Sequence, residues 1–315
     1  ISYMIPIIDI TPLVSRDAKQ EGVVNEIRNA CETVGFFYVI GHGISLDTQT
    51  NIFSTARDFF ALPEHVKHGV GVAKSRCFRG HVPFALTGPN VPKRMLEAFQ
   101  MMLDLGPADP DVAVGNIMYG SNQWPEDSPR MRAILEAYYK EMETLSNYLL
   151  SAFARALGED PEFFNTYYQK PMTQLRLLHY PYVESDNLED QQGVEAHTDT
   201  GAFTILMQDD ISGLEIRARD GNWLAATPIE DAFVINVGDM MQWWTAYRFI
   251  STPHRVTNRS GRSRYSVPFF VNPDRSAVIN QLGVDPDDSG AKFEVGAHVE
   301  EAFVDAWPRD PTGVG

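Results

Sequence analysis

Apolar positions in the first half of the chain recur at the spacing of amphipathic helices. On one helical face between residues 20 and 34 lie Val23, Val24, Ile27, Ala30, Cys31 and Val34. Gly35 ends this run, and the continuous apolar stretch after it is typical of a buried strand. The pattern predicts helices over 20–34, 46–60, 128–157 and 160–168, a strand over 36–40 and a short strand within 1–12.

Beyond residue 170 the pattern changes to short apolar runs that are separated by turn residues. This spacing is typical of a sandwich or a jelly roll. The predicted strands are 173–180, 202–208, 213–217, 222–227, 232–236, the region around 251–258, and 263–271. Residues 70–125 are rich in Gly and Pro and are predicted as loops with short strands. Helices therefore dominate the front of the chain and strands the back, with no linker at the change.

Two histidines and an aspartate carry the first candidate chemistry. His197 and Asp199 are two positions apart, so their side chains leave the same face of an extended segment. His254 lies far enough downstream to come from a different strand of a closed sheet. Two imidazoles and one carboxylate can hold a non-haem Fe(II) and leave positions open for oxygen chemistry. Zinc can bind the same three groups, so these ligands alone leave a zinc hydrolase open.

Arg264 and Ser266 repeat the two-residue spacing further along the chain. If they share a strand, a guanidinium and a hydroxyl point into one cavity. A guanidinium suits a carboxylate because its fork of donors is planar and permanently charged. The pair therefore favours an oxygenase with an acidic co-reactant over a zinc hydrolase.

The residues around these positions form motifs that are specific when they are taken together. They are Gly193–Asp199, Gly238–Asp239, Ser251–Val256, Ile5–Asp9, Ala30–Gly43 and Asn122–Pro125. Through these motifs, which cover most of its length, the chain resembles the isopenicillin-N-synthase-like family of Fe(II)/2-oxoglutarate-dependent oxygenases.

The resemblance implies an α+β fold with a double-stranded β-helix, or jelly-roll, core and flanking N-terminal helices. The long helix is expected to buttress one sheet of this core. We expect an N-terminal helix and strand region over 1–125 and buttressing helices over 126–170. The Fe(II)/2-oxoglutarate core is expected over 171–275, and a helical C-terminal segment over 276–315.

The resemblance also implies a cofactor set of Fe(II), 2-oxoglutarate and O2. The expected iron ligands are His197, Asp199 and His254. The residues expected to hold 2-oxoglutarate are Arg264, Ser266 and Tyr180. In the family, 2-oxoglutarate is decarboxylated to succinate and CO2 while a hydrogen atom is removed from the substrate.

One position departs from the family pattern. Many members carry an asparagine two residues before the tyrosine, near the metal-bound end of 2-oxoglutarate, whereas this chain has Leu178. Leucine donates no hydrogen bond, so either another group takes this role or the cosubstrate is held differently. His179 should point to the opposite face of the strand from Tyr180.

The substrate is expected to be a small organic molecule that is hydroxylated, desaturated or modified in a ring. From the family's pocket regions we take as candidates Arg76, Phe78, Arg79, Phe99, Met101, Phe203, Trp243 and Phe270. For each of them, packing in the core or at the surface is the alternative. The adjacent aromatics Trp243 and Trp244 favour an apolar or ring-containing substrate.

Two other functions stay open at this point. In the first, an oxidase of the same family uses no 2-oxoglutarate, and Arg264 and Ser266 bind a carboxylate of the substrate itself. In the second, the same fold is a catalytically silent receptor for a small molecule. The presence of all three candidate metal ligands argues against the receptor.

Composition restricts the partners and the compartment. The net charge is −16, from 26 basic and 42 acidic residues, which disfavours binding to nucleic-acid phosphates or to anionic lipid. The longest apolar runs are too short to span a membrane. Two cysteines outside any CxxC pair, and no apolar leader before Ile5, predict a cytoplasmic protein. The oligomeric state stays open.

Overall fold

The structure is a computed structural model that describes residues 4–84, 95–182, 192–285, 290 and 292–307. Its α-helices are α1 (Thr11–Val14), α2 (Gln20–Thr33), α3 (Leu46–Phe60), α4 (Glu64–Gly69), α5 (Pro110–Ala113), α6 (Pro129–Leu157), α7 (Asp239–Trp244) and α8 (Val295–Ala306). Short 3-10 helices occupy Val72–Lys74 and Asn165–Tyr167. The three longest helices of the first half lie where the apolar spacing predicts them.

The strands concentrate in the second half of the chain, as predicted. They are β1 (Ile7–Asp9), β2 (Phe36–Ile40), β3 (Gly80–Val82), β4 (Glu97–Met102), β5 (Gln174–Tyr180), β6 (Gln192–His197), β7 (Phe203–Gln208), β8 (Leu214–Arg217), β9 (Trp223–Ala225), β10 (Phe233–Val237), β11 (His254–Thr257), β12 (Arg264–Val271), β13 (Val278–Asn280) and β14 (Lys292–Glu294).

Two sheets form the core. The larger sheet has the strand order β1-β2-β10-β7-β12-β5-β4-β3, and the smaller one has the order β6-β11-β8-β9. Neighbouring strands run antiparallel, except that β1 and β2 are parallel. Residues from β5, β7 and β12 and from β6, β8 and β11 line one cavity between the sheets. The α+β jelly-roll prediction is confirmed.

Helix α6 packs on the outer face of the larger sheet. Phe153 meets Phe203 of β7 edge to face, with ring centroids 5.0 Å apart, and Tyr139 meets Phe269 of β12 at 5.2 Å. Since side chains alternate along a strand, the neighbours of these residues face the interior of the jelly roll. The helix thus holds β7 and β12 in place while their other faces line the cavity.

A buried ionic cluster stabilises the end of the larger sheet that β5, β4 and β3 form. Glu97 of β4 accepts hydrogen bonds from Lys67 of α4 (Nζ to Oε2, 3.0 Å). His81 Nε2 and His179 Nδ1 each lie 2.9 Å from its carboxylate oxygens. Burial raises the pKa of Glu97, but these three partners outweigh burial and lower it to about 2. His179 therefore faces away from the cavity, as alternation from Tyr180 predicts.

Several elements differ from the sequence prediction. Residues 160–168 were expected to form an α-helix, but they form turns and the 3-10 helix at Asn165–Tyr167. Their backbone hydrogen bonds join residues three apart, such as Phe163 N to Asp160 O, whereas an α-helix joins residues four apart. Strand β6 and helix α7 were not predicted. The segment from residue 276, expected to be helical, contains the β13–β14 ribbon before α8. Residues 308–315 of that segment lie outside the described residues.

Candidate functional site

The first two candidate metal ligands lie where β6 ends, and the third lies where β11 begins. His197 is the last residue of β6, and it is the antiparallel cross-strand partner of His254. Asp199 follows two residues after His197. The ligand atoms of the three side chains all lie within 4.8 Å of one another. In the described ranges, no other group of three His, Cys, Asp or Glu residues brings its ligand atoms this close.

Backbone carbonyls select the tautomer of both imidazoles. Nδ1 of His197 lies 2.8 Å from the carbonyl oxygen of Glu195, and Nδ1 of His254 lies 3.2 Å from that of Thr252. A carbonyl only accepts, so each Nδ1 carries the proton, and each Nε2 has a lone pair available for a metal. These Nε2 atoms lie 3.7 and 3.5 Å from Oδ1 of Asp199. The donor set thus fits a divalent metal ion.

The carboxylate of Asp199 is oriented through its other oxygen. Oδ2 accepts hydrogen bonds from the hydroxyl of Thr204 (2.6 Å) and from the side-chain amide of Asn236 (2.7 Å). Burial raises the pKa of Asp199, but the two imidazoles and the hydrogen bond from Thr204 outweigh burial and hold the pKa well below its usual range. The group is therefore a carboxylate whose Oδ1 faces the two histidines.

We expect Thr204→Val to weaken metal binding while leaving the three ligands in place. Valine has nearly the same shape but cannot donate to Asp199, and loss of such an outer partner lowers metal affinity about 10- to 100-fold. Mn(II) titration followed by electron paramagnetic resonance would measure the change. Thr144→Val, on the exposed face of α6, is the matched control. Equal Mn(II) affinity in both variants would contradict the orienting role of Thr204.

A close approach of two backbone segments explains the Gly238–Asp239 motif. A Cβ atom at position 238 would lie 2.1 Å from the carbonyl oxygen of Gly201, so only glycine fits there. The amide of Asp239 donates to the carbonyl oxygen of Asp199 (2.7 Å), and its carboxylate accepts from the hydroxyl of Thr198 (2.9 Å). The motif thus holds the segment that carries the candidate ligand Asp199.

The candidate cosubstrate residues lie deeper in the same cavity. Arg264 and Ser266 are the cross-strand partners of Tyr180 and Leu178, and both side chains are 1% exposed. Arg264 donates from Nε to the carbonyl oxygen of Ile211 (3.2 Å) and from Nη2 to Oε1 of Gln208 (2.9 Å). Its Nη1 is buried without a hydrogen-bond partner among the described residues.

The ring of Tyr180 lies beside this guanidinium, with the Arg264 Cζ atom 5.0 Å from the ring centroid. Gly193 makes room for the ring, because a Cβ atom there would lie 2.6 Å from Cδ1 of Tyr180. A buried donor without a partner is unfavourable, and a carboxylate in the cavity would satisfy it. The residues present therefore fit an anionic cosubstrate at Arg264.

The cavity has a volume of about 200 Å³ and reaches from the candidate metal ligands to Arg264. Helix α8 covers one side of it with apolar side chains. Those that line the cavity are Val299, Ala302, Phe303, Ala306 and the following Trp307. Leu178 lines the cavity beside Ser266, so the wall at the position of the family asparagine is apolar in this chain.

Of the eight side chains that the sequence proposes for the substrate, Phe270 lines this cavity. Three others face away because of strand alternation. Phe203 packs on Phe153 of α6, and Phe99 packs on Phe59 of α3 at a ring distance of 4.8 Å. Met101 shares the face of Phe99 on β4, opposite to the face that lines the interior. The structure therefore places these three in the packing of sheet against helix.

The remaining four candidates also lie outside the cavity wall. Arg79 is fully buried and donates to the carbonyl oxygens of Cys77, Leu103 and Met118, so it holds a loop together. Phe78 packs behind Phe303 and Trp307, at ring distances of 5.6 and 6.4 Å. Arg76 is exposed, and Trp243 packs on Phe293 at 5.2 Å. The packing partners of Phe78 and Trp243 lie far away in the chain, so the local sequence does not reveal these contacts.

Other cavity residues were missed by the sequence reasoning. Thr204 and Asn236 contact Asp199, and Gln174 and Arg176 line the cavity on β5. Side chains on one face of a strand recur every two residues, so counting back from Tyr180 would have found Arg176 and Gln174. For Thr204 and Asn236, neighbouring strands had to be paired before their proximity to Asp199 could be recognised.

A jelly roll that gathers two histidines, a carboxylate and a buried guanidinium around one cavity defines the class of non-haem metal oxygenases with an acidic cosubstrate. Comparison with known proteins gives the same class. Residues 5–127 match the family model of the non-haem dioxygenase in morphine synthesis N-terminal region, and residues 171–273 match that of the 2OG-Fe(II) oxygenase superfamily.

Similar proteins carry the likeness across most of the chain. Clavatol oxidase of Penicillium crustosum is 34% identical over 313 residues, with 93% of each chain covered. A 2-oxoglutarate-dependent dioxygenase, citB, of Monascus ruber is 38% identical over 288 residues, covering 86% of this chain and 85% of that one. The crystal structure of a full-length Neurospora crassa protein in complex with alpha-KG and thymine has a TM-score of 0.82 at 26% identity, covering 95% of this chain and 96% of that one.

The chain belongs to the 2OG-Fe(II) oxygenase superfamily, which confirms the predicted resemblance to its isopenicillin-N-synthase-like members. It is an Fe(II)- and 2-oxoglutarate-dependent dioxygenase of small molecules, with Fe(II), 2-oxoglutarate and O2 as its cofactor set. The comparisons support this function and not the oxidase without 2-oxoglutarate. Within the described ranges, no helix combines the length and apolar character needed to cross a membrane.

Proposed function

We propose that His197, Asp199 and His254 hold the Fe(II) ion, and that 2-oxoglutarate binds beside them. One observation carries the proposal: the same cavity is lined by the three ligand side chains and by Arg264, whose buried Nη1 has no hydrogen-bond partner within the described parts of the chain. When bound, iron and 2-oxoglutarate supply the oxidation of a C–H bond. The protein supplies ligation, orientation and a cavity with restricted access to water.

Each of these residues has a distinct part in the proposal. The imidazoles of His197 and His254 are presented as neutral ligands by carbonyl oxygens, and Asp199 adds a negative charge. Nη1 of Arg264 donates a hydrogen bond to the distal carboxylate of 2-oxoglutarate, and the hydroxyl of Ser266, two residues along the same face, donates a second one. The ring of Tyr180 fixes the guanidinium from one side, so its donors are oriented before the cosubstrate binds.

Helix α8 is proposed to cover the substrate. Its apolar side chains, together with Phe270, leave a cavity of about 200 Å³ that suits a small, ring-containing molecule better than a polymer. Hydroxylation, desaturation and ring modification are all compatible with this cavity. We also propose that the chain is organised into four segments. They are the N-terminal region (1–125), the buttressing helices (126–170), the Fe(II)/2-oxoglutarate core (171–275) and the C-terminal segment (276–315).

A reducing compartment such as the cytoplasm is also proposed. Fe(II) is the reduced form of the metal, and both cysteines, Cys31 and Cys77, are free and buried. Burial raises the pKa of the Cys31 thiol, which keeps it protonated and unreactive. The acidic net charge of −16 supports a small-molecule substrate over nucleic acid.

The test of the proposed function uses the purified protein, Fe(II) and 2-oxoglutarate. Without O2, adding 2-oxoglutarate should produce a weak visible charge-transfer band that depends on Fe(II). With O2, candidate metabolites should stimulate succinate release, and mass spectrometry should identify an oxidised product in equal amount. Substrate oxidation without succinate, or no band with both components present, would contradict the proposal.

A further inference from the structure

The guanidinium of Arg264 is held in place by uncharged groups. Its described hydrogen-bond and ring partners are the carbonyl oxygen of Ile211, Oε1 of Gln208 and the ring of Tyr180. Within the described residues, therefore, no ion pair at the guanidinium competes with an anion that enters the cavity. Gln208, the last residue of β7, contributes the one side-chain acceptor among these partners.

The amide of Gln208 satisfies both of its partners in one orientation only. Its Nε2 donates to the carbonyl oxygen of Ala226 (3.1 Å), and its Oε1 accepts from Nη2 of Arg264 (2.9 Å). A carbonyl only accepts and a guanidinium only donates, so a flipped amide would oppose both partners. Ala226 is buried, and its own N–H donates to the carbonyl oxygen of Leu214 in β8. Gln208 thus ties the guanidinium to the smaller sheet.

The turn after β7 holds a second nitrogen of the guanidinium. Nε of Arg264 donates to the carbonyl oxygen of Ile211, and Asp209 fixes this turn. Oδ1 of Asp209 accepts from the N–H of Ile211 (2.9 Å), and Oδ2 accepts from the N–H of Tyr265 (2.6 Å), the residue after Arg264. Since a guanidinium is planar, holding Nε and Nη2 also fixes the direction of Nη1, the nitrogen without a described partner.

We propose that Gln208 is a positioning residue that aims Nη1 of Arg264 at the distal carboxylate of the cosubstrate. It thereby sets the preference of the enzyme for a 2-oxo diacid over a 2-oxo monoacid. The inference rests on the proposed function, in which Arg264 binds that carboxylate. The acceptor at position 208 has to be neutral, because a carboxylate there would form an ion pair with Arg264 and compete with the cosubstrate.

Two 2-oxo acids that differ in one group test the inference. 2-Oxopentanoate has the carbon chain of 2-oxoglutarate, with a methyl group in place of the distal carboxylate. Each acid is titrated by calorimetry, without O2, into the protein loaded with Mn(II). We expect the wild-type protein to bind 2-oxoglutarate about 10- to 100-fold more tightly, because only the distal carboxylate forms a charge-assisted hydrogen bond with Arg264.

Substitutions of Gln208 should reduce this preference. Gln208→Leu removes both hydrogen bonds at similar size, and we expect the preference to fall about 10-fold while the affinity for 2-oxopentanoate changes much less. Gln208→Glu places a carboxylate beside Nη2 and should reduce the preference further. In turnover, the loss should appear in the KM for 2-oxoglutarate, with kcat nearly unchanged. A merely structural role would weaken the binding of both acids alike.

Matched controls carry the same changes at Gln169, an exposed glutamine far from Arg264 in the sequence. Gln169→Leu and Gln169→Glu should keep the wild-type preference. In an Arg264→Lys background, Gln208→Leu should have little further effect on the preference, because Gln208 acts through the guanidinium. Gln208→Met, which keeps the side-chain length without the amide, replaces the leucine variant if circular dichroism shows that the latter does not fold.

Three results would overturn the inference: an unchanged preference in the folded Gln208 variants, an equal loss of affinity for both acids, or a full additional loss in the Arg264→Lys background. Arg264→Lys by itself separates this failure from that of the proposed function. If it lowers the preference while the Gln208 variants keep it, only the positioning role is wrong. If it also keeps the preference, the distal carboxylate binds elsewhere and the proposed cosubstrate site is wrong.

Discussion

Replacing His254 with alanine is expected to abolish substrate-stimulated succinate release while the protein stays folded. The imidazole contributes one of three ligand atoms that lie within 4.8 Å of one another. Loss of a mere outer partner of a metal ligand already lowers affinity or activity about 10- to 100-fold, so loss of the ligand itself should lower turnover by about 10³-fold or more. Succinate release at saturating Fe(II) measures the effect.

The fold should survive this substitution because the backbone of β11 pairs with both β6 and β8. Circular dichroism and a cooperative thermal transition would show this directly. His68→Ala removes an exposed imidazole on α4 and serves as the matched control with wild-type turnover. Retained activity in the folded His254 variant would refute the assignment of His254 as a ligand, and Mn(II) titration of the same variant would show whether metal is still bound.

Replacing Arg264 with lysine is expected to raise the 2-oxoglutarate concentration needed for half-maximal turnover about 10- to 100-fold. The guanidinium uses Nε and Nη2 to hold Ile211 and Gln208, which leaves Nη1 for a carboxylate. A lysine has one terminal nitrogen, so its ammonium cannot donate to Ile211, to Gln208 and to the carboxylate at the same time in the geometry of the guanidinium. The change should appear mainly in the KM for 2-oxoglutarate, because this contact forms when the cosubstrate binds.

Arg262→Lys is the matched control for this prediction. Arg262 is two residues earlier, its side chain is 65% exposed, and it pairs with Asp210 at the surface. Its substitution should leave the 2-oxoglutarate requirement unchanged. An unchanged requirement in Arg264→Lys would move the cosubstrate to another site. A rise confined to the KM for the organic substrate would instead favour a substrate carboxylate at Arg264.

The sequence was most informative where local pattern and side-chain chemistry were sufficient. The apolar spacing of residues 20–34 and 128–157 gave α2 and α6 within a few positions, because an amphipathic helix has a regular period. Two-residue spacing placed His197 with Asp199, and Arg264 with Ser266, on common faces. The structure brings these side chains to one cavity.

Local pattern was least informative where a side chain depends on a distant segment. Phe203 and Phe99 are aromatic residues of the kind that line pockets, but the helices on the outer side of the sheet bury them. Residues 160–168 have the composition of a helix but close into tighter turns. Thr204 and Asn236 carry no motif, and only the pairing of β7 with β10 brings both to Asp199.

By itself, therefore, the sequence determined the jelly-roll class, the family, the cofactor set and the residue types of the candidate metal and cosubstrate sites. The strand period, the ligand residue types and the motifs that carry the family resemblance all lie in short segments of the sequence. Only the tertiary structure decided which side chains orient Asp199, which helix covers the cavity and which side chains of β5 line it. Those properties arise from contacts between residues far apart in the chain, and local periodicity does not specify such contacts.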